Sequence, residues 1–377
     1  MKTTGPPAAL RETSRVLSAW LTEKAFPLWW RAGADLNGGG YHDRLDRFGR
    51  PVDLPKRARV AARQAFCFAN APEFGWDGPW RRAMNHGLDF LRAAHLRPDG
   101  LYRARGAMGW GRSDDTAELY DQAFVILALA NAERRGNTAV SGRASALLAK
   151  LRPNPLGGFH ELEGGILRSN PNMHLLEAFM AWWSADPRSP GQELAKGQCL
   201  LVNRLIDPAS GAIAEVYDRD WRPAADPAVR EVSPGHQFEW ASLLLRLRAM
   251  AADPGPPSTA LRLIQLAEEK GMDRARGVAI NALDGNLRPR DTGARLWPQT
   301  ERLKATLMAG EITGESAWWS AADEAAGALG RFLEDSGLWK DQMDARGVFV
   351  EEPAPASSFY HIVGAILELR RATEAPR

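Results

Sequence analysis

Six glycine-led polar segments, each with an aromatic or aliphatic residue close behind, interrupt this chain at Gly39, Gly100, Gly157, Gly211, Gly285 and Gly337, spaced by 61, 57, 54, 74 and 52 residues. A period of this length marks a repeated supersecondary unit. Between the segments the apolar residues fall at helical spacing, as in "YDQAFVILALANAERR" and "HQFEWASLLLRLRAMA", and each interval has room for two helices. Six helix pairs bury their apolar faces by curling into a ring whose inner helices line the centre and whose outer helices wrap them. The predicted fold is therefore all-α, an (α/α)6 barrel with short extended loops at one rim. No Pro/Ser-rich linker separates compositionally distinct halves, so one catalytic domain over residues 1–377 is expected. Ser169 with Asn170, and Ser258 with Thr259, stand where side chains cap helix starts.

Composition narrows the function. Lys plus Arg is 48 against 46 for Asp plus Glu, a net charge of +2 with the signs interspersed, which points away from nucleic acid as a partner. No apolar stretch reaches membrane-spanning length, and the N-terminal segment carries Pro6, Pro7, Arg11 and Glu12 where a signal peptide needs an apolar core. Cys67 and Cys199 lie in apolar helical contexts and are expected as buried thiols in a reducing cytoplasm. Walker, dinucleotide-binding, zinc-protease and serine-hydrolase motifs are missing, so no cofactor and no metal is expected.

Three of the seven histidines stand in parallel contexts. "RSNPNMHLLEAFMAWW" puts His174, "SPGHQFEW" puts His236 and "SSFYHIVGAILEL" puts His361 just after a loop, in the first turn of an apolar helix. One such histidine reads as a core residue; three at corresponding places in different units read as a site. Glu177 and Glu239 follow His174 and His236 by three residues, so each carboxylate can share a helix face with its histidine. Arg63, among Ala61, Ala62, Ala65 and Phe66, is expected to turn inward and to want an anionic oxygen, whereas Arg57 and Arg59 are expected at the solvated face. Trp110, Trp297 and Trp339 lie in or beside glycine loops, where flat aromatic faces suit the C–H face of a sugar ring.

In order along the chain, "RQAF" (63–66), "LYDQAFVILALA" (119–130), "NPNMHLLEA" (170–178), "PGHQFEW" (234–240), "WPQTERLKA" (297–305) and "FYHIVGA" (359–365) resemble the N-acylglucosamine 2-epimerase superfamily, which includes cellobiose 2-epimerases, mannose isomerases and sulfoquinovose isomerases. The resemblance implies the (α/α)6 barrel and chemistry at a sugar C2 without a redox cofactor. By motif position it implies His361 as the base that takes the C2 proton, His236 as second acid/base and ring opener, and Arg63 as stabiliser of the enediolate oxygen. His174, Asn170 and Glu239 match substrate-contacting positions, and Trp110, Trp297 and Glu301 are further substrate contacts expected at the rim. The "NMH" and "PGH" forms look closer to the isomerases, and no isolated basic cluster for a sulfonate is evident. An aldose–ketose isomerase acting on free mannose, as a monomer or homodimer, is the leading expectation, and a sugar 2-epimerase the alternative. A glycoside hydrolase recruiting Asp121, Glu239 and Glu301 would leave the histidines unexplained. A non-catalytic sugar-binding protein has no need of His361.

Overall fold

A computed structural model describes residues 5–106, 115–251 and 257–374. Among these residues the barrel is formed by twelve α-helices, α1 (Ala8–Trp20), α2 (Ala58–Asn70), α3 (Trp80–Phe90), α4 (Leu119–Arg134), α5 (Arg143–Leu148), α6 (Ser169–Ala185), α7 (Gly191–Leu205), α8 (Pro234–Met250), α9 (Ser258–Lys270), α10 (Leu296–Thr313), α11 (Ser316–Phe332) and α12 (Phe359–Glu374). The even-numbered helices pack successively on one another, and α12 returns to α2, closing the inner ring; each odd-numbered helix packs on an inner neighbour. Inner α4, α8 and α10 are buried nearly all round, while outer α7, α9 and α11 bury one stripe and present polar residues to water. Past α1 the chain stays helical to Gly33 but widens into π-turns around Pro27, which has no N–H to give the helix ladder.

Short antiparallel pairings tie the loops into one rim: 167–168 with 216–217, 231–232 with 282–284, and 294–295 with 342–343. The pairing of 44–45 with 354–355 joins the first unit to the last. A recurrent amide locks loop to helix. Gln122, Gln237 and Gln299, in the first turns of α4, α8 and α10, each accept from the backbone N–H and donate to the C=O of one residue in the preceding loop: Tyr102, Ile213 and Ala279. Asn172 does the same with Phe159 in α6, and Gln64 of α2 donates to the Ala356 carbonyl. Such two-way bonds satisfy buried backbone groups and fix where each inner helix begins.

The expected caps differ. α6 begins at Ser169 with extended Arg168 ahead of it, α9 follows Pro257, and neither has a side-chain cap; Asn172 ties the start of α6 to the loop instead. Ser233 does cap α8, accepting from the His236 N–H. Cys67 is buried and Cys199 only half-buried. No helix among the described residues is long and apolar enough to cross a membrane.

Candidate active site

Because the loops deliver the inner helices to one rim, their first turns converge. His236 sits in the first turn of α8 with its ring 4.7 Å from Trp297 of α10, and the His361 ring of α12 lies 5.7 Å from the same indole. A Cβ on Gly235 would fall 2.5 Å from the Trp297 ring, so a glycine at 235 lets the indole pack against the start of α8. The carboxylate that holds His236 is not Glu239, three residues on. It is Glu215, from the preceding loop, whose two oxygens lie 2.9 and 2.8 Å from Nδ1. Glu239 turns instead toward His174, with its Oε1 3.8 Å from Nδ1.

His361 is tied in the same way but deeper. Its Nδ1 lies 2.8 Å from Oε1 of Glu301, whose Oε2 is 2.5 Å from the ammonium of Lys304. With a carboxylate accepting at Nδ1, that nitrogen carries a proton in both rings, and in the buried, neutral His361 Nε2 keeps its lone pair. Burial pushes the His361 imidazole down to about 3, against which the Glu301 hydrogen bond pulls upward. Burial likewise pushes His174 down to about 4, opposed by Glu177, whose Oε2 lies 3.4 Å from Nδ1. That same Glu177 oxygen accepts from the Tyr360 hydroxyl. Burial would raise the Glu301 carboxyl, but Lys304 and then His361 hold it below its ordinary value. Glu239 goes the other way: burial, then repulsion from Glu301, raises it well above the usual carboxylate range, and neither oxygen has a hydrogen-bond partner among the described residues.

Arg63 turns inward as expected and is 5% exposed. Its guanidinium lies 4.1 Å over the Phe124 ring and donates to the Tyr120 hydroxyl at 2.5 Å and the Ser357 carbonyl at 3.2 Å. No carboxylate pairs with it among the described residues, and its Nε is buried without a partner. The rings of Tyr120 and Phe124 also touch His174, at 5.1 and 4.5 Å, and Tyr360 touches Arg63 and His361 together. One aromatic layer thus links the guanidinium with His174 and His361, and Trp297 joins His361 to His236. Asn170, half-buried in the first turn of α6, has a buried Oδ1 without a hydrogen-bond partner.

Several expectations are corrected. Arg57 and Arg59 are half-buried and paired rather than free on a solvated face: Arg57 pairs with Asp43, and Arg59 holds the fully buried Asp121 through its backbone N–H and Nε, with Glu118 as a further partner. Asp121 is therefore committed to anchoring α2. Both Glu301 oxygens are likewise engaged, so this carboxylate stands behind His361 and not as a free contact for a sugar. Trp339 is 1% exposed and stacked on Trp29 at 4.7 Å, a packing residue. Trp110 lies outside the described residues. Sequence reasoning passed over Glu215, Lys304, Tyr120 and Tyr360. The spacing of oxygens and nitrogens in Glu239, Glu301 and His361, and in His174, Glu177 and Glu239, would admit a cation. The Lys304 ammonium already supplies positive charge there, and the His361 nitrogen facing Glu301 is the protonated one, so the cluster reads as a proton-carrying network. The rim cleft, of about 550 Å³, is bordered by His236, Trp297, Glu215, Asn281 and Arg290.

The family model of N-acylglucosamine 2-epimerase (GlcNAc 2-epimerase) matches residues 39–365. The chain belongs to this family. A protein of Rhizobium meliloti (strain 1021) named mannose-6-phosphate isomerase is 40% identical over 370 residues, covering 94% of this chain and 95% of that one. The crystal structure of a D-mannose isomerase superposes with a TM-score of 0.85 at 23% identity, over 95% of this chain and 97% of that one. The cellobiose 2-epimerase of Bacillus thermoamylovorans B4167 also reaches 0.85, at 18% identity, over 96% and 100%. This member of the N-acylglucosamine 2-epimerase family is an isomerase acting on carbohydrates, built on the helical barrel of those enzymes.

Proposed function

We propose that the chain interconverts D-mannose and D-fructose in the cytoplasm, as one catalytic domain over residues 1–377. The observation that carries the reading is the pair of imidazoles beside Trp297, each with Nδ1 held by a carboxylate and Nε2 left to a substrate. His361 Nε2 takes the proton from C2 of the open-chain aldose. The C–H electrons form the C1=C2 bond, and the carbonyl π electrons move to O1. Arg63, without a carboxylate of its own, meets the enediolate oxygen; a fixed guanidinium in a water-poor site stabilises that charge as it forms. His236 opens the pyranose ring and moves the hydroxyl proton between O2 and O1. Return of the carbon-bound proton from His361 to C1 gives the ketose. His174, Asn170 and Glu239 hold sugar hydroxyls, and Trp297 carries a C–H face of the sugar.

The unphosphorylated sugar is favoured by charge. Glu215, Glu231 and Asp291 border the rim cleft beside Arg290 and Arg295, leaving no surplus of cations for a phosphate. The test is proton NMR in deuterated water with mannose and mannose 6-phosphate in parallel. Loss of the mannose C2 proton with fructose appearing is expected. Glucose as the main product would make the chain a 2-epimerase, faster turnover of the phosphate ester would overturn the substrate, and no exchange with any aldose would overturn the reaction.

A further inference from the structure

Lys304 is a buried cation that the reaction above does not use. Its side chain is 9% exposed, on α10 one turn beyond Glu301. The groups acting on it come from four inner helices: Glu301 on its own helix, Glu239 on α8, Glu177 on α6 and His361 on α12; His174, Arg63 and Tyr360 stand next to these groups in turn. Arg302, two residues before it, turns outward to Glu268 and Glu324 on the outer helices and plays no part in this balance. Lys304 also borders a second cavity of about 280 Å³, with Glu177, Ser242, Arg246 and Arg134, removed from the rim cleft of His236 and Trp297. The ammonium therefore lies between that cavity and Glu301, with Glu177 beside it on the cavity wall.

A carboxylate as buried as Glu301 stays ionised only with a partner that is itself charged. A neutral imidazole donating one hydrogen bond does not meet that need. If Lys304 were absent, the cheapest cation in reach would be His361 itself, taking a proton at Nε2 and ceasing to be a base. We propose that Lys304 is a positioning residue for the base: its ammonium pins the Glu301 carboxylate, which keeps the proton of neutral His361 on Nδ1 and leaves Nε2 open toward the substrate. The proposal rests on the reading of His361 as the base.

The test uses the full chain with Lys304→Met and Lys304→Arg, read in two ways. In steady state on mannose, Lys304→Met lowers kcat about tenfold or more at pH 6 with KM within about threefold, and its acid limb moves up to about pH 7, since a base tenfold depleted at pH 6 titrates about one unit above that pH; Lys304→Arg restores the limb. In the 15N spectrum of histidine-labelled protein, which needs no substrate, wild-type His361 is neutral and protonated at Nδ1 at pH 6, while in Lys304→Met it has become imidazolium or lost that tautomer. An unchanged His361 spectrum in Lys304→Met overturns the proposal, as does a loss of kcat with an unmoved acid limb. Should the methionine variant not fold, the unmodified protein decides: the Lys304 ammonium is expected as a slowly exchanging 15Nζ resonance, and exchange as fast as a surface lysine's overturns it. If the wild type moves no C2 proton of any aldose, the isomerase reading falls while the imidazole spectrum still reports on Lys304.

Discussion

The two imidazoles beside Trp297 share one device, a carboxylate on Nδ1, and differ in what surrounds it. His236 and its Glu215 keep 13% and 15% of their side chains exposed, at the edge of the rim cleft. His361 and Glu301 keep 8% and 0%, with Lys304 behind and Tyr360 alongside. The same residue type is thereby given two tasks. Solvent contact suits His236 to exchange protons with a sugar's ring and hydroxyl oxygens. Burial holds His361 neutral through the whole working range, which suits a base that must take a proton from carbon and give the same one back. Fixing the nitrogen that carries the proton is common to both; the dielectric around it is what separates them.

Breaking the buried half should cost most. His361→Asn is expected to lower kcat on mannose by about 10³–10⁴-fold with sugar binding retained, and His236→Asn by about 10²-fold, within the range general acid–base groups contribute; equal losses would erase the distinction. The carboxylates sharpen it. Glu301→Gln is expected to lower kcat by about 10²-fold, because an amide offers no charge to Lys304 and can present its NH2 to Nδ1, while Glu215→Gln, open to water, costs about tenfold; steady-state kinetics of the two variants checks the order.

The smallest effect is on stability against pH. His174 and His361 titrate near 4 and 3 in the folded chain and near 6.5 when unfolded. Above pH 6.5 both are neutral in both states, and their full contribution to stability is present. Below it the unfolded chain binds protons that the native chain refuses, so stability is lost progressively as pH falls toward the folded values, on the order of 3 kcal/mol per histidine by pH 4. Urea midpoints from pH 7 to pH 4 should fall less steeply for His361→Asn than for the wild type; parallel curves would mean that the imidazole is not held neutral by burial.

The barrel and the three histidines were legible because both repeat: six glycine loops, and three imidazoles each within the first two turns of an apolar helix. The inward Arg63 was legible from its small neighbours. Glu215 was not, since it is a loop glutamate 21 residues before His236 and only the 231–232 and 282–284 pairing, folded beside 216–217, brings that loop to the helix start. Lys304 reads as an ordinary helical surface charge unless one knows that α10 is buried on all sides. Arg59 and Trp339 misled for the converse reason, because their buried partners, Asp121 and Trp29, are remote in sequence. The loop-locking amides carried a readable signal that went unused. A glutamine recurs in "RQAF", "DQAF", "HQFE" and "PQTE", in the first turn of an inner helix in the last three and in the second turn in the first.

The most direct test of the division of labour is deuterium uptake at C2 of a three-carbon aldose, which is too short to close a ring and so needs no ring opening. In deuterated water, His236→Asn is expected to keep exchanging that proton at a rate near the wild type's, and His361→Asn to exchange none above the uncatalysed background. Exchange by His361→Asn, or its loss in His236→Asn alone, would contradict the assignment of the buried imidazole as the base.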